Sequence, residues 1–187
     1  ILGNLYWSQL GVDILAHEDA IQEIEQNGYT ILERMKSYNR DKAIGTEVII
    51  PNKSFSEKII FNLGGLEFHV LHLGPAHGPG DTQVWLPQLS LMIAGDMAFH
   101  ERMLPIFENT CTKCWLKTWD EKFAPLNATY VIPGHGHPTN MAQVTRFTRN
   151  YLLDLRAKVS EVLDNGGDLA EAFYVDQERW RSLDTFE

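Results

Sequence analysis

The feature that most constrains this chain is a glycine-punctuated run from His72 to Asp96, reading HLGPAHGPGD, TQVWLP and QLSLMIAGD. It has a counterpart, VIPGHG, at Val131 to Gly136. In both places an apolar, β-prone run stops abruptly at a small-residue turn that carries a histidine or an aspartate. Strand ends that present His77, Asp96 and His135 from tight turns build a metal site out of residues far apart in sequence. The rest of the chain reads as scaffold for that arrangement.

A scaffold of this kind needs a core. The 187 residues, 44% hydrophobic and 22% charged, suit one domain with a core of its own. A formal charge of −9 argues against a nucleic-acid partner, which selects for a basic stripe. No apolar run approaches the roughly 18 residues of a membrane span, so no membrane partner is expected. The opening shows no charged start followed by an apolar stretch of the signal-peptide kind. The compartment stays open between cytoplasm and periplasm. Cys111 and Cys114, spaced CTKC, read as two thiols near a helix start, with a local disulfide in an oxidising compartment as the alternative.

In chain order, Val12 to Ala16 reads as a short buried strand, followed by His17 as a cap. Ile21, Ile24, Gly28, Ile31, Leu32, Met35 and Tyr38 recur at helical spacing and predict a helix over Asp19 to Asn39, with Gly28 as a kink or break. Glu47 to Ile50 reads as a strand stopped by Pro51-Asn52. Lys58 to Asn62 and Leu66 to Leu73, joined by LGG, read as a hairpin. Thr82 to Leu86 and Leu89 to Ala94 form a second pair around Pro87-Gln88. Phe99 to Asn109 is irregular, and Lys113 to Phe123 is helical. Thr129 to Ile132 is a strand closed by Pro133-Gly134. Asn140 to Leu163 carries a long apolar stripe and ends at Asn165-Gly166-Gly167 in the manner of a C-cap. Asp168 to Glu187 reads as one or two short helices. A sheet covered by helices is the expected architecture.

Each chemistry-bearing residue also has a plainer reading. His77 in GPAHGPGD and His135 in VIPGHGHP could cap turns, and Asp96 could cap a helix. An ionised aspartate behind a buried strand is costly unless a cation or several donors meet it. Asp81 more naturally pins the His77 turn than touches a metal. His137 is expected at a pocket rim or exposed, and His100, just after Asp96, could face the same cleft. His69 and His72 read as core or surface histidines. Taken together, two histidines and one carboxylate make a plausible zinc set.

The ordered motifs GPAHGPGDTQVWLP, LMIAGDMAF and VIPGHGHPT resemble those of the metallo-β-lactamase superfamily, and the likeness runs from Gly11 to about Leu163. The resemblance implies an α/β (α+β) fold, the αβ/βα sandwich of that family. It also implies His77 as a ligand of one metal, His135 as a ligand of the second, and Asp96 as the catalytic residue bridging them. The family's HxHxDH motif is absent from this sequence, and ILGNLYWSQLG resembles the segment that follows it. The resemblance therefore places the N-terminal strands and four ligands upstream of Ile1. It makes residues 1–187 the C-terminal portion of a longer domain, with two zinc ions in the intact protein and one or none in this chain. The implied chemistry is hydrolysis of a small-molecule ester, thioester, lactone or β-lactam by metal-activated hydroxide. Met103, Leu104, Ile106 and Phe107 would line the substrate wall, and Asp81 would support the ligands from a second layer. A binding or regulatory protein on the same fold is the alternative, and an iron-using flavodiiron-like oxidoreductase is a third. The sheet face left open by the missing part is expected to drive self-association.

Overall fold

Apolar residues alternating between positions 58 and 99 build a meander, and the computed structural model describes residues 2–185 of the chain. Strands β3 (Lys58–Leu63), β4 (Leu66–Leu71), β5 (Gln83–Leu86) and β6 (Leu91–Phe99) pair antiparallel in sequence order. Strand β7 (Tyr130–His135) then adds to β6 in parallel, giving a five-stranded sheet in the order β3-β4-β5-β6-β7. A parallel addition needs a crossover. Here it runs through the segment after Phe99 and helix α3 (Thr112–Thr118), which continues as a π-helical turn over Trp119–Phe123.

Helix α3 and the helices after β7 cover one sheet face. Helix α4 (Met141–Val144) opens with Asn140 as its cap, passes through a π-helical turn at Thr145–Arg149 and continues as α5 (Asn150–Asp164). The core lies between them: Met92 and Ala94 of β6 and Val131 of β7 meet Trp115, Trp119, Val144 and Leu152, all essentially without solvent contact. The opposite sheet face is also apolar. The register aligns Val84, Ile93 and Ile132 in one row and Phe61 with Phe68 in another. Ile93, Ile132 and Phe61 stay more than a third exposed there.

The N-terminal part is a smaller unit. Helix α1 (Asn4–Gln9) precedes β1 (Leu15–His17), which pairs in parallel with β2 (Lys53–Phe55). Helix α2 (Glu18–Asn39) runs between them. Helix α6 (Leu169–Ala172) and a 3-10 turn at Glu178–Trp180 close the chain. No described helix is long and apolar enough to cross a membrane.

Several sequence expectations need correction. The strand expected at Val12 to Ala16 sits slightly later and is not buried: Val12 and Leu15 are exposed, because β1 belongs to a two-stranded sheet. Glu47 to Ile50 forms no strand. It packs instead on α2, where Val48 lies so close that a Cβ on Gly28 would sit 2.8 Å from its Cγ1. Gly28 is thus a close-approach glycine in one continuous helix, not a break. Strands β6 and β7 do not stop at their glycines. They run on through Asp96 and His135, and register shifts absorb the turns. The Cys111–Cys114 pair is bonded, with no free thiol among the described residues.

Candidate metal centre

The parallel β6–β7 pair delivers Asp96 and His135 at its C-terminal end. Gly95 pairs with Pro133 and Phe99 with His135, so β6 spends four residues where β7 spends two. Such a bulge bends a strand and re-aims a side chain. Gly95, at φ 54°, supplies the conformation a side chain resists. The excess lifts the Asp96 carboxylate out of the sheet.

His77 and His135 address different oxygens of that one carboxylate. His135 Nδ1 lies 3.0 Å from Oδ1 and donates to it, which leaves Nε2 with the lone pair. His77 Nε2 lies 3.7 Å from Oδ2, too far for a hydrogen bond. Zinc legs of about 2.0–2.1 Å at tetrahedral angles set two ligand atoms roughly 3.3 Å apart, close to that gap. The donor set of two imidazoles and a carboxylate is also one zinc accepts. His77 Nδ1 is buried with no hydrogen-bond partner, an arrangement that native structures rarely tolerate without a reason at the site.

Both glycines of the PGHG turn are dictated by contact. A Cβ at Gly134 would lie 2.0 Å from Asp96 Oδ1. A Cβ at Gly136 would lie 1.9 Å from the carbonyl oxygen of His100, at a φ of 88°. Only hydrogen at these positions lets β7 approach the carboxylate and the turn after β6.

Phe99 spaces the two imidazoles. His135 stacks flat on it at 5.0 Å between centroids, and His77 meets it edge-on at 5.9 Å. Phe107 at 5.3 Å and Trp115 at 5.9 Å complete an aromatic box around His77. Thr110 Oγ1 donates to the His77 carbonyl at 3.0 Å, and the Trp115 indole donates to the Met97 carbonyl at 3.0 Å. Phe99 itself is fixed by Thr148, whose buried hydroxyl accepts from the Phe99 amide at 2.8 Å and donates to its carbonyl at 3.1 Å. Phe99, Thr110, Trp115 and Thr148 were not singled out from sequence. Trp115 sits in an apolar helical stripe and reads as core, and only the placement of Phe99 three residues after the aspartate hints at its role.

The other sequence candidates fall in different places. Asp81 holds the His77 turn by its backbone: Oδ2 accepts from the Gly78 amide at 3.0 Å and makes no bond to the imidazole. Burial pushes its carboxyl above the usual carboxylate range. Phe107 stands at the site wall, half exposed. Met103 and Leu104 turn into the core instead, because the Met103 amide is tied to the Asp184 carbonyl. His100 is buried, with Nδ1 on the His137 carbonyl at 2.9 Å and its ring against Phe147. His137 is exposed and pairs with Glu101 at 2.6 Å, which raises the imidazole and lowers the carboxyl. Neither His100 nor His137 touches the Asp96 group.

A second cluster, His17, Asp19 and His72, brings metal-type donor atoms within 4.8 Å of one another. Its hydrogen bonds argue for a structural role. His17 Nε2 donates to the Ser56 carbonyl at 2.7 Å, and its Nδ1 accepts from the Asp19 amide at 3.2 Å as the cap of α2. His72 donates from Nδ1 to the Asp81 carbonyl at 2.9 Å. The two rings stack at 3.7 Å and 22°, so their in-plane lone pairs run side by side and do not converge on one point. A groove of about 690 Å³ lined by Leu91, Tyr130, Ile132 and Pro138 lies at the N-terminal end of β6 and β7, away from the carboxylate.

With this geometry in hand, the family model described as "Metallo-beta-lactamase superfamily" matches residues 1–138. A curated relative, the type 2 metallo-β-lactamase of Bacteroides fragilis, is 29% identical over 90 residues, 46% of this chain and 36% of its own length. Among solved structures, a metallo-β-lactamase from Pontibacter korlensis superposes with a TM-score of 0.63 at 18% identity, over 81% of this chain and 63% of that one. A sec-alkyl sulfatase superposes with a TM-score of 0.61 at 16% identity, over 86% of this chain and 31% of its own. The chain thus spans about a third of the curated relative and less than two-thirds of these structures.

Proposed function

The chain belongs to the metallo-β-lactamase superfamily, and we propose from that premise that it serves metal-dependent hydrolysis, with His77, Asp96 and His135 holding zinc. One observation carries the reading: an imidazole from the loop after β4, not from a strand end as expected, and one from the end of β7 face the two different oxygens of one carboxylate, at 3.7 and 3.0 Å. The 3.7 Å gap would leave room for an ion between His77 Nε2 and Oδ2, whereas the His135 Nδ1 proton fills the gap to Oδ1, so His135 would meet an ion through its free Nε2. Bound zinc would supply Lewis acidity and a water acidified towards about pH 7.

The chain's own residues do the rest. Asp96 presents an oxygen to each histidine. Phe99 packs against both imidazoles and sets their spacing. Asp81 holds the backbone of the His77 turn, and Phe107 forms an apolar wall over it. The substrate class is an ester, thioester, lactone or β-lactam. The fold hosts β-lactamases and a sulfatase among the structures it resembles, so fold does not choose among them.

Zinc titration against a chromophoric chelator tests the reading. The protein should bind zinc, and H77A, D96N and H135A should each weaken binding by at least about tenfold. Zinc affinity unchanged in D96N would end the proposal. The second reading is a non-catalytic binding protein, favoured by the small number of donors that converge among the described residues. Zinc binding without turnover of any ester, thioester, lactone or β-lactam would support it.

A further inference from the structure

We propose that Cys111 and Cys114 form a reversible thiol–disulfide site whose bonded state holds the aromatic box around His77 shut. The inference rests on the reading of His77 as a metal ligand, and it assigns that site a means of regulation.

The pair sits where the loop after β6 becomes α3. Cys111 is the cap of that helix, and its sulfur accepts from the Cys114 amide at 3.2 Å. The sulfurs are bonded to each other, with Cys111 exposed and Cys114 half-buried. An external thiolate therefore has access to Cys111 Sγ. The surroundings are cationic: Lys113 lies between the cysteines, Lys117 one turn on, and Arg156 donates to Thr112 Oγ1 at 2.8 Å. Access to the attacked sulfur is what a C-x-x-C disulfide needs to exchange with an external thiolate.

The residues on either side of the bridge both grip His77. Thr110, immediately before Cys111, donates to the His77 carbonyl, and its backbone and hydroxyl also hold Phe107 in place. Trp115, immediately after Cys114, stands against the His77 ring and is tied to the Cys111 carbonyl through its amide at 2.9 Å. The bridge thus fixes the spacing between the two arms that enclose the imidazole. Opening it leaves Trp115 anchored in the core and frees the loop arm, Phe107 to Cys111, which is largely exposed.

The step balances with a small dithiol as reductant. One of its thiolates attacks Cys111 Sγ, the S–S bond breaks, and Cys114 leaves as a thiolate that takes up a proton. The reductant's second thiolate then attacks the mixed disulfide and releases Cys111. The reductant ends as a cyclic disulfide, and the protein gains two electrons and two protons.

Three forms test the proposal: oxidised protein, protein treated with dithiothreitol, and the C111S/C114S variant. Each is measured for reactive thiols, for amide hydrogen exchange over residues 104–115 without metal, and for zinc affinity by chelator competition. The oxidised form should show no reactive thiol and the reduced form two. Exchange in 105–111 should quicken several-fold on reduction, and zinc affinity should fall by about tenfold or more, the usual scale for losing support around a ligand. The double variant should match the reduced form and ignore dithiothreitol. Identical exchange in all three forms, or a disulfide that excess dithiothreitol leaves intact in the folded protein, would overturn the proposal. Faster exchange with unchanged zinc affinity would overturn the link to His77. Zinc binding in none of the forms would instead sink the metal reading, and the exchange measurement would then decide the clasp alone.

Discussion

Gly134→Ala is the sharpest test of how the carboxylate is held. Gly134 has an ordinary backbone conformation, so alanine brings no φ penalty and the effect is steric. Its new methyl would stand 2.0 Å from Asp96 Oδ1, 2.7 Å from the Gly95 carbonyl carbon and 2.9 Å from the Asp96 amide nitrogen. Restoring an ordinary contact of 3.4 Å to Oδ1 moves the carboxylate by more than an ångström. Overpacking of this kind costs about 1–3 kcal/mol. At about 2–4 °C per kcal/mol for a chain of this size, that is a drop in Tm of roughly 2–12 °C. Zinc affinity should fall by about 10- to 100-fold, because Asp96 no longer faces both histidines. The attribution to the carboxylate is checked by a double-mutant cycle with Asp96→Ala, read by urea denaturation. Removing Oδ1 removes the nearest clash, so Gly134→Ala should cost less in that background, with a coupling of about 0.5 kcal/mol or more. Gly136→Ala is the control. Its methyl strikes the His100 backbone, so its cost should add to that of Asp96→Ala without coupling. A Gly134→Ala protein with unchanged Tm and zinc affinity, or strict additivity in the Asp96→Ala cycle, would refute the argument.

Thr148→Val keeps the shape of a fully buried residue but leaves the amide and carbonyl of Phe99 without their partner, which should cost roughly 1–3 kcal/mol in urea unfolding; an unchanged midpoint would show that the hydroxyl does not hold Phe99. Burial lowers the pKa of His72 below its ordinary 6.5, with His17 and Lys122 pushing the same way and Asp19 and the Asp81 carbonyl opposing. The unfolded chain therefore takes up the proton first, so this contribution to stability is complete above about pH 6.5 and is lost as pH falls below it. The fall should be shallower in His72→Gln, and parallel pH profiles would contradict it. The half-exposed Phe61, Ile93 and Ile132 of the open sheet face lead to an expectation of concentration-dependent sedimentation that I93D/I132D suppresses; a monomer at every concentration would count against self-association through that face.

Turn chemistry was the legible part of this sequence. LGG set the β3–β4 hairpin, Pro87-Gln88 the β5–β6 connection, and Asn165-Gly166-Gly167 the end of α5, where the Gly167 amide reaches back to the Val162 carbonyl at 2.9 Å. Each is a local signal with a local cause. What escaped was set by partners distant in sequence. Residues 47–50 have the composition of a strand, but a strand needs a ladder, and the partner β1 pairs instead with 53–55. Gly28 looks like a weak point by propensity, yet Val48 makes it a requirement. The continuation of β6 through Asp96 depends on how many residues β7 spends opposite it, which no window on either strand reveals.

The same division explains why His77, Asp96 and His135 stand out in the sequence and the residues around them do not. A histidine or aspartate at a glycine turn stands out, although a turn also uses such residues as caps, as Asp81 does for Gly78. Phe99 and Trp115 carry no such mark, since a buried aromatic is what any core contains. Their role follows only from register: Phe99 pairs with His135 across the β6–β7 ladder and meets His77 with its edge, so one ring sets the position of both imidazoles. Alternation along β6 and the turn after it then sends His100 inward to the His137 carbonyl, although it adjoins Phe99 in sequence. Proximity in sequence to His77, Asp96 or His135 therefore predicts little at this site. Register against β7 decides which side chains reach the carboxylate, and the two close-approach glycines, Gly134 and Gly136, are what hold that register.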